Sequence, residues 1–295
     1  MVPDKISQSR CNDIVSDVMR EAGKSRPDLF FASPAIPEEI TAAAEQAGKG
    51  RIPVIRVSSG LWQKAYYQII HDICGNGLHA VLLVSSDRTC SGRKEYPGVF
   101  DFSGLSVIPE LTLLAPKNRW ELAEMLRWAA DGEGPAAICC SDGGESAGFP
   151  DFCAPVRRGK SEIMYDEGDI ALIAVGSMVQ TAASVRNRLK EFGYGCSLIN
   201  ARFIKPLDEA VLLRTVRSHN LIVTLEHNIR CGGFGDRVLE YLNDIGNTVR
   251  VINIAIPDDF PEWKDAQSLN KEAVPDEDSI LMRILSEYIG RRDLF

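Results

Sequence analysis

Short apolar runs alternate with longer stretches of helical periodicity along this chain. Ile14, Val15, Val18 and Met19 recur at helical spacing. Leu29-Phe30-Phe31-Ala32 reads as a strand. Pro37 to Ala47 reads as a helix, with a proline near its start and Glu38 and Glu39 in its first turn. Ile52 to Val57 is strand-like, Leu61 to Cys74 helical up to Gly75 and Gly77, and His79 to Ser85 strand-like again. Asp87 to Phe102 reads as a loop containing glycines. Leu111 to Ala115, Arg119 to Ala130 and Ala136 to Cys140 then follow as strand, helix and strand. Strands alternating with helices of this length predict a mainly parallel sheet covered on both faces.

Between Ser141 and Gly168 the periodicity fades, and glycine, proline and charged residues dominate. The alternation then resumes. Asp169 to Val175, Gly195 to Asn200 and Asn220 to Glu226 read as strands. Val179 to Phe192, Asp208 to His219 and Phe234 to Asp244 read as helices. Val249 to Ile254 is expected as a last strand, antiparallel at an edge. The expectation is α/β: two doubly wound, mainly parallel-sheet domains over residues 1–150 and 169–295, joined by a linker at 151–168. A length of 295 residues with 45% hydrophobic content suits two domains.

A net charge of −8 argues against nucleic-acid or anionic-membrane partners. No apolar run reaches about 18 residues, so no membrane span is expected. Met1 to Arg10 is polar, without the apolar stretch of a signal peptide, and a cytoplasmic location is expected. The eight cysteines form no C-x-x-C pair and read as reduced thiols. The four histidines lack ligand spacing, so no metal site is expected from protein ligands alone.

Several segments together carry a family resemblance. Asn200-Ala-Arg-Phe-Ile-Lys-Pro-Leu-Asp208, Thr224-Leu-Glu-His-Asn228 and Gly232-Gly-Phe-Gly235 lie in the second half. In the first half stand Gln63, Ala65-Tyr66, Gln68, His71-Asp72, Asp87-Arg88, Gly98-Val-Phe-Asp101, Ile108-Pro-Glu110 and Gly134-Pro135. Over nearly the whole chain these resemble the pyrimidine-binding and C-terminal domains of the transketolase family, as found in 1-deoxy-D-xylulose-5-phosphate synthases. The resemblance implies a homodimer and thiamine diphosphate held with Mg²⁺. It also implies that the diphosphate-binding half, with its G-D-G motif, belongs to a separate chain, because no such motif occurs here. Two residue-level alternatives remain open. Gly232, Gly233 and Gly235 serve either a tight strand-to-helix turn or an anion. Glu226 lines a crevice or, as in the family, packs near a dimer contact.

The chain also departs from the family. The interval between Ala35 and Ile52 is shorter and lacks the family's A-E-Q helix start, whose glutamate activates the cofactor; Ala44-Glu45-Gln46 matches by letters but sits mid-helix and too close to the following strand, and Glu38 and Glu39 are the candidate substitutes. The family's Y-S-T-F-L-Q-R is matched by Val57 to Lys64, with Gly60 read at the stacking aromatic, Val57 at the tyrosine and Lys64 at the arginine. Ser59, Gly60 and Trp62 are the candidate cofactor contacts. Lys64, Asp87, Arg88 and Tyr96 are the candidate substrate contacts. The family's R-Y-P-R-G becomes Cys139-Cys140-Ser141-Asp142-Gly143, which puts an acid where a phosphate-binding arginine stood. Three functions fit: a C-terminal subunit that needs a diphosphate-binding partner for ketol or acyl transfer, a non-catalytic structural or regulatory paralogue, and a retooled site.

Overall fold

The structure is a computed structural model, and it describes residues 11–85, 98–140, 148–259 and 275–292. Its elements are β1 (Leu29–Ala32), β2 (Ile52–Ser58), β3 (Val81–Ser85), β4 (Thr112–Leu114), β5 (Ala136–Cys140), β6 (Glu162–Tyr165), β7 (Ile170–Ala174), β8 (Cys196–Asn200), β9 (Phe203–Lys205), β10 (Leu221–Ile229) and β11 (Arg250–Ile256). The helices are α1 (Cys11–Ala22), α2 (Pro37–Ala47), α3 (Ser59–Lys64), α4 (Tyr66–Gln68), α5 (Asp101–Ser106), α6 (Arg119–Asp131), α7 (Met178–Glu191), α8 (Glu209–Ser218), α9 (Phe234–Asp244) and α10 (Glu277–Arg292). After α4 the chain continues as one π-helical stretch, Ile69–Cys74.

Two sheets form, with orders β1-β2-β3-β5-β4-β9 and β11-β10-β7-β8-β6. Each is parallel except for one edge strand, β9 against β4 and β6 against β8. This is the expected α/β arrangement, with three corrections. The last strand, β11, does lie at an edge but runs parallel to β10. The stretch read as linker contains β6, whose burial alternates and which adds to the second sheet. The third correction is β9, which leaves the second half of the sequence to complete the first sheet.

The central strands are buried throughout, as in parallel sheets covered on both sides. Ile14, Val15 and Val18 of α1 pack with α6 on one face of the first sheet. The opposite face shares one continuous core with the second sheet, joining Ile40, Ile55, Trp62 and Leu105 to Ile173, Ile199, Ile222 and Phe234. The outer face of the second sheet is covered by α7 and α10. Caps end the helices where side chains can supply them. Asn118 Oδ1 accepts the Glu121 N–H at 2.9 Å, and the Asp208 carboxylate accepts N–H groups from Val211 at 3.4 Å and Ser161 at 2.8 Å.

Candidate functional site at the sheet ends

Parallel strands present their carboxyl ends to ligands. Here β1, β2 and β3 open onto a pocket of about 460 Å³, lined among others by Ser33, Arg56, Ser58, Gly60, Lys64 and Ser85. Ser58 caps α3, its Oγ accepting the Leu61 N–H at 3.2 Å, and so turns the chain from strand into helix at the pocket wall. Gly60 and Lys64 therefore share that wall. Counted back from Lys64 without a gap, the seven-residue family motif sets Leu61 at the aromatic position and Ser58 at the tyrosine, one residue along from Gly60 and Val57.

Ser59 and Trp62 face inward instead, 2% and 4% exposed. Trp62 Nε1 donates to Asp101 Oδ1 at 2.8 Å. Ser59 Oγ donates to Asp101 Oδ2 at 2.8 Å and accepts the Gly98 N–H at 3.1 Å. The indole lies against Gly104, where a Cβ would stand 2.4 Å from the ring. Glu38 and Glu39 are exposed on the first turn of α2, and Glu39 turns back to accept the Ala35 N–H at 2.6 Å. Neither lines the pocket. Asp87, Arg88, Tyr96 and Asp142 lie outside the described residues.

Asp101 also lines a cavity of about 60 Å³ between the two sheets, together with Cys139, Ser177 and His227. Burial pushes its carboxyl up to about 6, opposed by the hydrogen bonds from Trp62 and Ser59. Burial and the Asp101 charge push the Cys139 thiol well above its ordinary value, so it is not a ready nucleophile at neutral pH. Among the described residues the cysteines are free thiols, and no group of three or more His, Cys, Asp or Glu side chains is placed to hold a metal ion.

The glycine-rich turn after β10 does receive a carboxyl group, and the carboxyl is the protein's own. Glu226 is fully buried and accepts the N–H groups of Phe234 at 2.7 Å and Gly235 at 2.8 Å, at the start of α9. A Cβ on Gly233 would fall 2.4 Å from Glu226 Oε2, so the close approach requires glycine there. Burial pushes this carboxyl up to about 8, outweighing the two N–H donors that favour its ionised form. Next to it, Asn228 Oδ1 accepts the Phe102 N–H at 3.0 Å, joining β10 to α5.

A buried ionic cluster completes the junction. Lys117 Nζ contacts Glu121 at 3.0 Å and Glu162 at 2.7 Å, while Arg202 contacts Glu121 at 2.6 Å and Glu162 at 3.1 Å. Asn200 Nδ2 adds a bond to Glu121 at 2.9 Å. Two cations and two carboxylates neutralise one another here, which suits a structural junction. Sequence reading missed this cluster, Arg56 and the hub role of Asp101. The cluster and the Asp101 hub depend on contacts across more than 35 residues, and no local pattern reports those.

Two mainly parallel sheets with a pocket at the strand ends of the first give a fold that matches solved transketolases. Residues 159–280 match the family model of the transketolase C-terminal domain. As a whole the chain resembles the C-terminal part of 1-deoxy-D-xylulose-5-phosphate synthases. It is 40% identical over 262 residues to that of Lachnoclostridium phytofermentans, covering 88% of this chain and 42% of the relative. It is 38% identical over 272 residues to that of Clostridium acetobutylicum, covering 90% and 44%. The chain thus spans about two-fifths of the length of these curated relatives. In fold it matches a solved split-gene transketolase described as an inactive β4 tetramer, with TM-score 0.82 and 18% identity, over 92% of this chain and 96% of that one. It also matches the transketolase of Campylobacter jejuni, with TM-score 0.72 and 13% identity, over 97% of this chain and 48% of that one. No helix among the described residues is long and apolar enough to cross a membrane.

Proposed function

We propose that this chain is the C-terminal-half subunit of a thiamine-diphosphate enzyme of the deoxyxylulose-phosphate synthase and transketolase type. It works in ketol or acyl transfer only when paired with a separate chain that carries the diphosphate-binding half. The observation that carries this reading is one of extent. The chain covers about two-fifths of each synthase it resembles, yet nearly all of a chain from a split transketolase.

The chain's own residues do not fit the cofactor with its metal. Among the described residues the strand-end pocket is lined by Arg56 and Lys64 and by no carboxylate, which is not a ligand set for Mg²⁺. Trp62 gives its ring to the core and its N–H to Asp101, so it acts as a support behind the pocket. The metal and diphosphate therefore belong to the partner half, and this chain contributes the wall formed by the ends of β1 to β3. We take residues 1–150 and 169–295 as its two domains, and a two-fold homodimer in the cytoplasm as its setting.

Titration calorimetry with thiamine diphosphate and Mg²⁺ tests the reading. The expected result is no binding to the chain alone and saturable binding once a chain with the G-D-G half is added. Micromolar affinity for the chain alone overturns it. A stable complex of the two chains that binds no cofactor favours the non-catalytic paralogue instead.

A further inference from the structure

We infer that Asp101 and Asn228 are positioning residues, through which the second sheet fixes α3 and, with it, the wall of the pocket at the strand ends of the first sheet. The inference concerns the chain by itself, and only its bearing on catalysis rests on the partnered-enzyme reading. α3 has six residues, too few for a helix to keep its place without tertiary contacts. Gly60, Leu61 and Lys64 of α3 line the pocket. Ser59 and Trp62, three positions apart and so on a shared face, turn inward instead. Both donate to one carboxylate, that of Asp101, and each of its oxygens takes one donor at 2.8 Å.

Asp101 is in turn held from the other side. It opens α5, and the next N–H of that helix, from Phe102, goes to Asn228 Oδ1 of β10 at 3.0 Å. Asn228 Nδ2 donates to Ser103 Oγ at 2.5 Å, and Ser106 Oγ donates to the Gly232 carbonyl at 3.3 Å. α5 is thus pinned at its start by β10 and at its end by the glycine turn. The same helix makes room for α3. A Cβ on Gly104 would stand 2.4 Å from the Trp62 ring, so α5 offers α3 a socket as well as an acceptor. The hydrogen bonds of the Asn228 side chain go to α5 and to Ile229, and none goes to α3. Its influence on α3 therefore passes through Asp101. Asp101 and Asn228 are both buried, and buried groups in one hydrogen-bonded network respond together.

Amide hydrogen exchange and the indole N–H resonance of Trp62, followed by NMR in the full chain at pH 7.5, test this. Asp101→Asn sets an amide donor against one of the two donors of α3. Exchange of the Leu61 to Ala65 amides should quicken about tenfold or more, the effect of losing a charge-assisted bond. Asn228→Ala should quicken the same amides by a smaller factor, about fivefold. It should also move the Trp62 indole and Gly60 amide resonances, which a general loss of stability does not move in the folded state. The amides of α6, on the far face of the first sheet, report general opening and should quicken less than those of α3. Trp62→Phe removes the indole donor and keeps a ring. Combined with Asn228→Ala, it should act less than multiplicatively, because both changes break one path. Ser59→Ala and Ser103→Ala each remove one partner, from Asp101 and from Asn228, and give the same readings where a larger change prevents folding. The inference is overturned if Asn228→Ala leaves the Trp62 and Gly60 resonances in place, if α3 and α6 quicken by equal factors, or if the paired changes simply multiply. Any of these results leaves the partner-dependent binding of the cofactor standing, and loss of that dependence leaves the exchange results standing.

Discussion

The two sheets end differently. At the carboxyl end of β10, the glycine turn that could have received an anion is filled by Glu226 of the same chain. At the carboxyl ends of β1 to β3, Arg56, Lys64 and the hydroxyls of Ser33, Ser58 and Ser85 line an open pocket. The same α/β construction therefore gives a sealed end and an open one. The sealed end binds β10 to α5 and α9 and serves the junction, while the open end faces outward and is free to serve a ligand. Function follows the site and not the fold, even between two halves of one chain.

Breaking the internally neutralised side should have the largest effect. Glu121→Ala leaves Lys117 and Arg202 each with one buried partner, Glu162, and removes an acceptor from Asn200. Uncompensated buried charge makes this costly, about 3–5 kcal/mol in unfolding free energy. The midpoint of urea denaturation measures it. A loss below about 1 kcal/mol would mean that the cluster is solvated and does not hold the junction.

Glu226 sharpens the comparison through pH. Its ordinary value of 4.5 rises to about 8 in the fold, because burial disfavours the charge. Between those values the folded protein binds more protons than the unfolded one, so stability falls as pH rises through the window. Asp101, raised to about 6, adds a slope of the same sign at the acid side. The fall attributable to Glu226 is on the order of 2–3 kcal/mol from about pH 5 to 8. Glu226→Gln cannot ionise and should flatten it. Urea midpoints at pH 5.5 and 8 for both proteins check this, and an unaltered slope in the variant would place the titrating group elsewhere.

Much of the fold was legible because buried parallel strands leave short apolar runs, and those marked nearly every central strand. What failed was edge and junction. β6 and β9 are 4 and 3 residues long, too short for a periodic signal, and each is ordered by its pairing partner. The first residue of α5, Asp101, lay within a stretch that read as loop, and the six-residue helix is held by Asn228 from β10 and by Ser59 and Trp62 from α3. At the site, Gly60 and Lys64, singled out from the family motif, line the strand-end pocket. The inward turn of Ser59 and Trp62 was not visible, because it is decided by Asp101, some 40 positions away. The glycine turn was read as a tight turn or an anion site. It is a tight turn whose N–H groups are taken by the Glu226 carboxyl of the same chain.

The smallest expected effect belongs to Glu39, and it separates two meanings of one side chain. Its carboxylate accepts the Ala35 N–H at 2.6 Å on an exposed first turn of α2. Glu39→Gln keeps an acceptor oxygen there and removes only a charge near a helix N-terminus, a loss of about 0.3–1 kcal/mol. If Glu39 is only a cap, the chain paired with its diphosphate-binding half should turn over equally well with Glu or Gln at this position. Activation of the cofactor instead requires a carboxyl that exchanges a proton, and there the amide would fail by about a hundredfold or more. The open pocket, with no carboxylate among the described residues of its lining, leads us to expect the first outcome. Matched thermal midpoints together with a collapse in single-turnover rate of the paired Glu39→Gln enzyme would reverse it. The first turn of α2 would then have to move over the ends of β1 to β3 when the partner binds.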